Sequence, residues 1–198
     1  MTIAPFDDCD CMIVNEQKEA LRRRLLKARQ AIPPRLKQEK SARICQHLLS
    51  WEVFASSKLA LAYCSFRGEP QLDSLFDQKG RVWGLPRCEG QTLIWHLHSR
   101  QYRLHSGTYG ITEPLPTTPV IDLDQVDLVL VPCLACDING YRLGYGGGFY
   151  DRMLAQPEWA DKPTVGIVFE YARLPQVPRE DWDVRLDGIC TESGLFLL

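Results

Sequence analysis

The residues best suited to chemistry lie in one short stretch, where five of the chain's 14 glycines fall between Gly140 and Gly148. The run reads Gly140-Tyr-Arg-Leu-Gly-Tyr-Gly-Gly-Gly-Phe-Tyr-Asp151 and follows an apolar, strand-like segment. Glycines allow positive φ and let backbone N–H groups approach an anion closely, and a helix starting beyond them adds roughly half a positive charge. The chemistry this suits is phosphate binding at the carboxyl edge of an α/β sheet. Arg142 supplies a fixed fork of donors, and Asp151 can hold a magnesium ion brought by a triphosphate. Two familiar glycine signatures do not fit. A dinucleotide fingerprint from Gly144 needs glycine or alanine where Phe149 stands, and the Gly-Lys-Ser/Thr of a Walker loop is absent. The plainer reading is a tight strand-to-helix turn with Asp151 as a helix cap. The flanking Arg142 and Asp151 weigh against it.

Elements on either side must position this loop. Asp127 to Val131 is apolar after its first residue, and the apolar run Leu128 to Cys136 reads as one core strand covered on both faces. Thr164 to Phe169 reads as a second such strand, and Tyr150 to Leu154 as an amphipathic segment between them, giving a βαβ unit. Upstream, Lys58 to Tyr63 reads as a strand, Glu69 to Phe76 as a short helix with its acid at the amino end, and Arg81 to Pro86 and Leu93 to Leu97 as further strands. The turn-rich segment Gly107 to Pro114 and the proline-spaced stretch to Pro119 read as a surface loop or lid. The expected fold is α/β, three layers with a mostly parallel central sheet and helices on both faces, in which 1–15 is a tail and 16–198 a single domain.

Near the amino end, Glu16 to Arg43 holds ten basic and three acidic residues, a local charge of +7 against −9 for the remaining 13 and 22. Leu21, Leu25, Ala28 and Ile32 form an apolar stripe on a helix that Pro33-Pro34 ends, and Arg35 to Leu49 continues as a second helix. Lys18, Arg22 and Arg29 border that stripe and can reach into a cleft, whereas Arg23, Arg24 and Lys27 face away. From spacing alone a solvated basic face is the commoner outcome.

Composition closes off other classes. The 198 residues suit one domain, and a net charge of −2 is too balanced for a protein that coats nucleic acid. The longest apolar run is half of what a membrane span needs. Met1 to Gln17 lacks Lys and Arg, so a cytoplasmic, non-exported protein is expected. The eight cysteines read as reduced thiols, with Cys9 and Cys11 passive and the lone Cys133-x-x-Cys136 not a zinc site.

The segment Pro132 to Asp137 and the run Gly140 to Arg152 resemble the signature of the 5-formyltetrahydrofolate cyclo-ligase family, also called 5,10-methenyltetrahydrofolate synthetase. The likeness extends over about residues 16 to 195: Lys18-x-x-x-Arg22 with Arg29, the Tyr63 strand leading to Glu69, Gly110-Ile-x-Glu-Pro114, and Asp183-x-x-x-Asp187 with Thr191-Glu192 recur in family order. Cys136, Phe149 and Trp182 depart from common family residues; Phe149 lacks a hydroxyl but can stack on a pterin, and Trp182 lacks a titratable group.

The resemblance implies ATP-dependent conversion of 5-formyltetrahydrofolate to 5,10-methenyltetrahydrofolate, ADP and phosphate through a phosphorylated formyl group. It implies ATP on Lys18, Arg22, Arg142, Leu143, Gly144, Tyr145, Gly146, Gly147, Gly148, Phe149 and Tyr150. Folate would meet Cys64, Glu69, Tyr109, Glu113, Phe149 and Tyr150, with Mg²⁺ on Asp151 and Asp183. The implied partners are a reduced folate and ATP, with no membrane or nucleic acid, and a monomer. The residues alone leave two other readings open: an α/β enzyme acting on a phosphorylated sugar or acyl-CoA, and a non-catalytic nucleotide- or RNA-binding module using the +7 segment.

Overall fold

The computed structural model describes residues 8–198, with side chains from Met12 onward, so Cys9, Cys11 and most of the expected tail lie outside the described side chains. A long helix, α1 (Asp8–Gln30), begins before the apolar stripe does, and residues 31–33 separate it from α2 (Pro34–Leu49), with Pro34 at the first turn where its missing N–H costs nothing. A short α3 (Glu52–Ser56) leads into β1 (Leu59–Leu61). After α4 (Asp73–Phe76) come β2 (Val82–Glu89) and β3 (Thr92–His98), a hairpin turning at Gly90-Gln91, then the small hairpin β4 (Leu104–Ser106) and β5 (Thr112–Pro114). The second half contains β6 (Leu128–Pro132), β7 (Ala135–Asp137), β8 (Arg142–Leu143), α5 (Phe149–Leu154), β9 (Thr164–Ile167), β10 (Arg173–Leu174), β11 (Gly188–Thr191) and β12 (Gly194–Leu197).

The main sheet runs β12-β11-β9-β6-β1-β2-β3, with the five inner strands mutually parallel and both edge strands antiparallel. Strand side chains alternate between faces. Leu59, Leu61, Val129 and Val131 pack with Leu25 of α1 and Met153 and Leu154 of α5. Ala60, Ala62, Leu128 and Leu130 pack with Ile44, Leu48 and Phe54 of α2 and α3. The expected three-layer α/β arrangement is what forms, each fully buried Leu contributing about 1.5–3 kcal/mol. No helix among the described residues is long and apolar enough to cross a membrane.

Four expectations are corrected. The run Leu128 to Cys136 is two strands in two sheets, since β6 ends at Pro132, which has no N–H to extend a ladder, and β7 joins β10 and β8 in a separate small sheet. The expected helix from Glu69 forms only as α4, because a residue before proline is pushed out of the α region and Pro70 follows Glu69. The turn-rich segment from Gly107 is a loop between two short strands, held to the sheet rather than wholly irregular. The strand expected to end at Pro86 extends to Glu89, so the gap before the next strand tightens to a two-residue turn.

Candidate functional site

The glycine run joins β8 to α5 along one side of a cleft of about 710 Å³. Gly146 (φ 97°) and Gly148 (φ 65°) adopt left-handed conformations in which a side chain would be strained, and Gly148 precedes the first turn of α5. This turn leaves the loop out of every ladder. Among the described residues, no protein group accepts from the amides of Gly144 to Gly148. Consecutive unspent N–H donors beside a cleft are what an anion needs.

Arg142 lies below the loop, nearly fully buried, with Nη2 2.7 Å from Asp151 Oδ1 and Nη1 donating to the Val184 carbonyl at 3.5 Å. Asp151 retains 26% of its side-chain exposure, so it is paired yet reachable from the cleft. From α1, Arg22 Nε donates to the Gly144 carbonyl at 3.0 Å. The border of the apolar stripe therefore does face the loop.

Glu69, which lines the same cleft, follows a turn in which Arg67 (φ 48°) and Gly68 (φ 78°) are both left-handed. Its carboxylate is buried, with Oε2 accepting from the Phe66 amide at 2.9 Å and Oε1 from the Tyr145 hydroxyl at 2.8 Å. Arg29 donates in turn to the Tyr145 oxygen. Burial raises the Glu69 carboxyl above its ordinary 4.5, against the opposing pull of Arg29, the Phe66 amide and Tyr145. The fold thus holds a proton there to a higher pH than the unfolded chain does. This contribution to stability is full below about pH 4.5 and is lost as pH rises through the raised value. Relative to Glu69→Gln, the wild-type melting temperature is therefore expected to fall as pH rises above about 4.5; a constant difference would contradict this assignment.

The remaining expected residues converge with one exception. Cys64, Tyr109, Glu113, Leu143, Phe149, Tyr150 and Asp183 all line the cleft with the loop. The Tyr109 ring meets Phe149 edge-on at 5.8 Å, bringing the 107–119 segment against the loop. Burial, with Asp73 nearby, pushes the Cys64 thiol up to about 12, so this side chain is neutral wall and not a nucleophile. The Tyr150 hydroxyl is buried and, among the described residues, has no partner, although the residue lines the cleft. Glu113 spends its carboxylate on Arg87 at 2.6 Å and the Cys88 amide at 3.2 Å, which pins the small hairpin to β2.

Lys18 is the exception. It is buried outside the lining, its Nζ 2.7 Å from both Glu180 Oε2 and Asp183 Oδ2. Burial alone would lower its pKa, but the two carboxylates outweigh that and raise it. Of the other matched carboxyl-terminal residues, Asp187 accepts from Thr164 N and Oγ1, and Glu192 receives Lys40 and the Glu170 amide. These tie elements together away from the cleft.

No cluster of three or more His, Cys, Asp or Glu able to hold a metal exists among the described residues. A magnesium ion arriving on a triphosphate needs only one or two protein carboxylates. Asp151, exposed to the cleft beside the loop, fits that need; Asp183 fits less readily because Lys18 and the Glu180 amide already occupy its Oδ2.

Arg29 borders the stripe in the sequence but proves central, almost fully buried with Nη1 toward the Cys133 carbonyl at 3.4 Å. Phe66, Arg67 and Trp182 also line the cleft. The Arg67-Gly68 pair before Pro70 was the available signal, since turn residues cluster there. Because Lys18, Arg22 and Arg29 bond within the protein, they are not a solvated basic face for RNA.

Residues 14–192 match the family model described as the 5-formyltetrahydrofolate cyclo-ligase family. The chain is 28% identical over 176 residues to the 5-formyltetrahydrofolate cyclo-ligase of Escherichia coli (strain K12), covering 85% of this chain and 96% of that protein. It is 30% identical over 184 residues to that of Haemophilus influenzae, covering 88% and 97%. Among solved structures, the NMR structure of Aquifex aeolicus 5,10-methenyltetrahydrofolate synthetase superposes with a TM-score of 0.79 at 32% identity, covering 91% of this chain and 92% of that one.

Proposed function

The chain belongs to the 5-formyltetrahydrofolate cyclo-ligase family, and from that premise we propose that it closes 5-formyltetrahydrofolate to 5,10-methenyltetrahydrofolate through a phosphorylated formyl group, releasing ADP and phosphate. The observation that carries this reading is the convergence of the loop amides and Arg142 with Glu69 on one cleft from two distant parts of the chain.

A formamide oxygen is a poor leaving group. Its attack on the γ-phosphorus of ATP expels ADP and turns it into a phosphate ester. N10 then adds to the formyl carbon and loses its proton, and departure of phosphate leaves the methenyl bridge. Phosphoryl transfer depends on alignment and charge neutralisation more than on a covalent protein nucleophile. The amides of Gly144 to Gly148 seat the phosphates, with Arg142 and Arg22 offsetting their charge. Asp151 would hold magnesium, which when bound neutralises the triphosphate further, and Asp183 is a second carboxylate for it. Glu69 accepts hydrogen bonds from the pterin, and the unpartnered Tyr150 hydroxyl borders the formyl group. Tyr109, Phe149, Cys64 and Glu113 complete the folate side.

Incubation with 5-formyltetrahydrofolate and Mg-ATP should raise methenyl absorbance only when both are present. Absorbance that rises without ATP, or never, would refute the proposal. For Lys18→Ala, two buried carboxylates are left facing one another, so a melting temperature lower by at least about 6 °C is expected. Its KM for ATP should rise because Asp183 loses its anchor; unchanged stability and kinetics would remove Lys18 from the site.

A further inference from the structure

Tyr145 joins the glycine loop directly to Glu69. Its Cα lies between Gly144 and Gly146 in the loop with unspent amides, while its hydroxyl donates to Glu69 Oε1 at 2.8 Å and receives from Arg29. The ring meets Phe66 edge-on at 6.1 Å and lies within 5.4 Å of the Arg29 guanidinium. Arg29 is buried, and among the described residues its Nε has no partner, so the guanidinium is anchored through Cys133 and Tyr145. Withdrawing the Tyr145 hydroxyl would leave both a buried cation and a buried carboxylate short of a partner, which is costly.

The geometry points to Tyr145 as a positioning residue that makes nucleotide and reduced folate binding depend on each other. A phosphate drawing in the loop amides sets where the Tyr145 hydroxyl lies, and the hydroxyl sets where Glu69 Oε1 points. Folate on Glu69 acts in reverse, holding the hydroxyl and so shaping the loop before phosphate arrives. Glycines on either side give the loop freedom to respond, so the coupling passes through one side chain. It rests on the reading of the loop as a phosphate seat and of Glu69 as a folate contact. Coupling between binding sites is reciprocal by thermodynamic necessity.

The test measures 5-formyltetrahydrofolate binding by calorimetry with and without saturating magnesium and a non-hydrolysable ATP analogue, in wild type and Tyr145→Phe, and repeats it with the ligands exchanged. In wild type each ligand should tighten the other by about tenfold. In Tyr145→Phe, which keeps the ring, that factor should fall to within about twofold of one. The factor is a ratio, so a uniform loss of affinity cancels from it, as a merely structural role would require. Should Tyr145→Phe fail to fold, Tyr145→Met also lacks the hydroxyl and should give the same collapse. Coupling that persists without the hydroxyl, or is absent from wild type while both ligands bind, overturns the proposal. Failure of wild type to bind 5-formyltetrahydrofolate at all would instead overturn the reading of the site, and the coupling with it.

Discussion

Replacing Arg142 with alanine is expected to lower kcat for methenyl formation by about 10²- to 10³-fold, the usual effect of deleting one donor aimed at developing transition-state charge. Two losses combine. The guanidinium that offsets phosphate charge disappears, and Asp151 Oδ1 loses the partner 2.7 Å away that orients it. Steady-state absorbance assays give kcat, and circular dichroism checks that the fold survives. Folate affinity should change little, because Glu69 is held by Phe66 and Tyr145 and Arg142 makes no hydrogen bond to it. A folded Arg142→Ala protein with kcat within about threefold of wild type would remove Arg142 from the transition state.

The second large effect is expected at Glu69. Glu69→Gln keeps the size and can still accept one of its two hydrogen bonds, yet it withdraws the charge that a pterin donor would meet. Loss of a charge-assisted hydrogen bond costs about 1.5–3 kcal/mol, so the folate KM should rise about 10- to 100-fold. At saturating folate the ATP KM should move far less. Equal changes in both constants would show that Glu69 supports the cleft as a whole and does not meet the folate specifically.

How far the sequence could be read follows from the distance over which each feature is decided. The clustering of Gly140 to Gly148 beside Arg142 and Asp151 is local, so the loop was legible, as were β1 and β6 as buried strands. The break between β6 and β7 was not, because Leu128 to Cys136 is apolar throughout and hydrophobicity does not say which sheet a strand joins. Glu69 suggested a helix start because acids suit that position, but Pro70 acts on the same residue and wins. The roles of Arg29 and Lys18 were hidden for another reason. Their partners, Cys133, Tyr145, Glu180 and Asp183, are brought close only by the finished fold.

The first helix bears on how the protein is made. As a nascent chain leaves the ribosome, α1 emerges early, but Arg22 bonds a residue 122 positions later and Lys18 bonds two lying 162 and 165 positions later. These two positively charged side chains must therefore wait in water until most of the polypeptide, and for Lys18 nearly all of it, has been synthesised. Contacts this remote in sequence slow folding, since the ends of a long loop must meet before any of them forms. The cleft beside the glycine loop is consequently among the last parts to assemble, and ribosome-stalled chains that stop short of Glu180 should display this helix undocked and open to proteases.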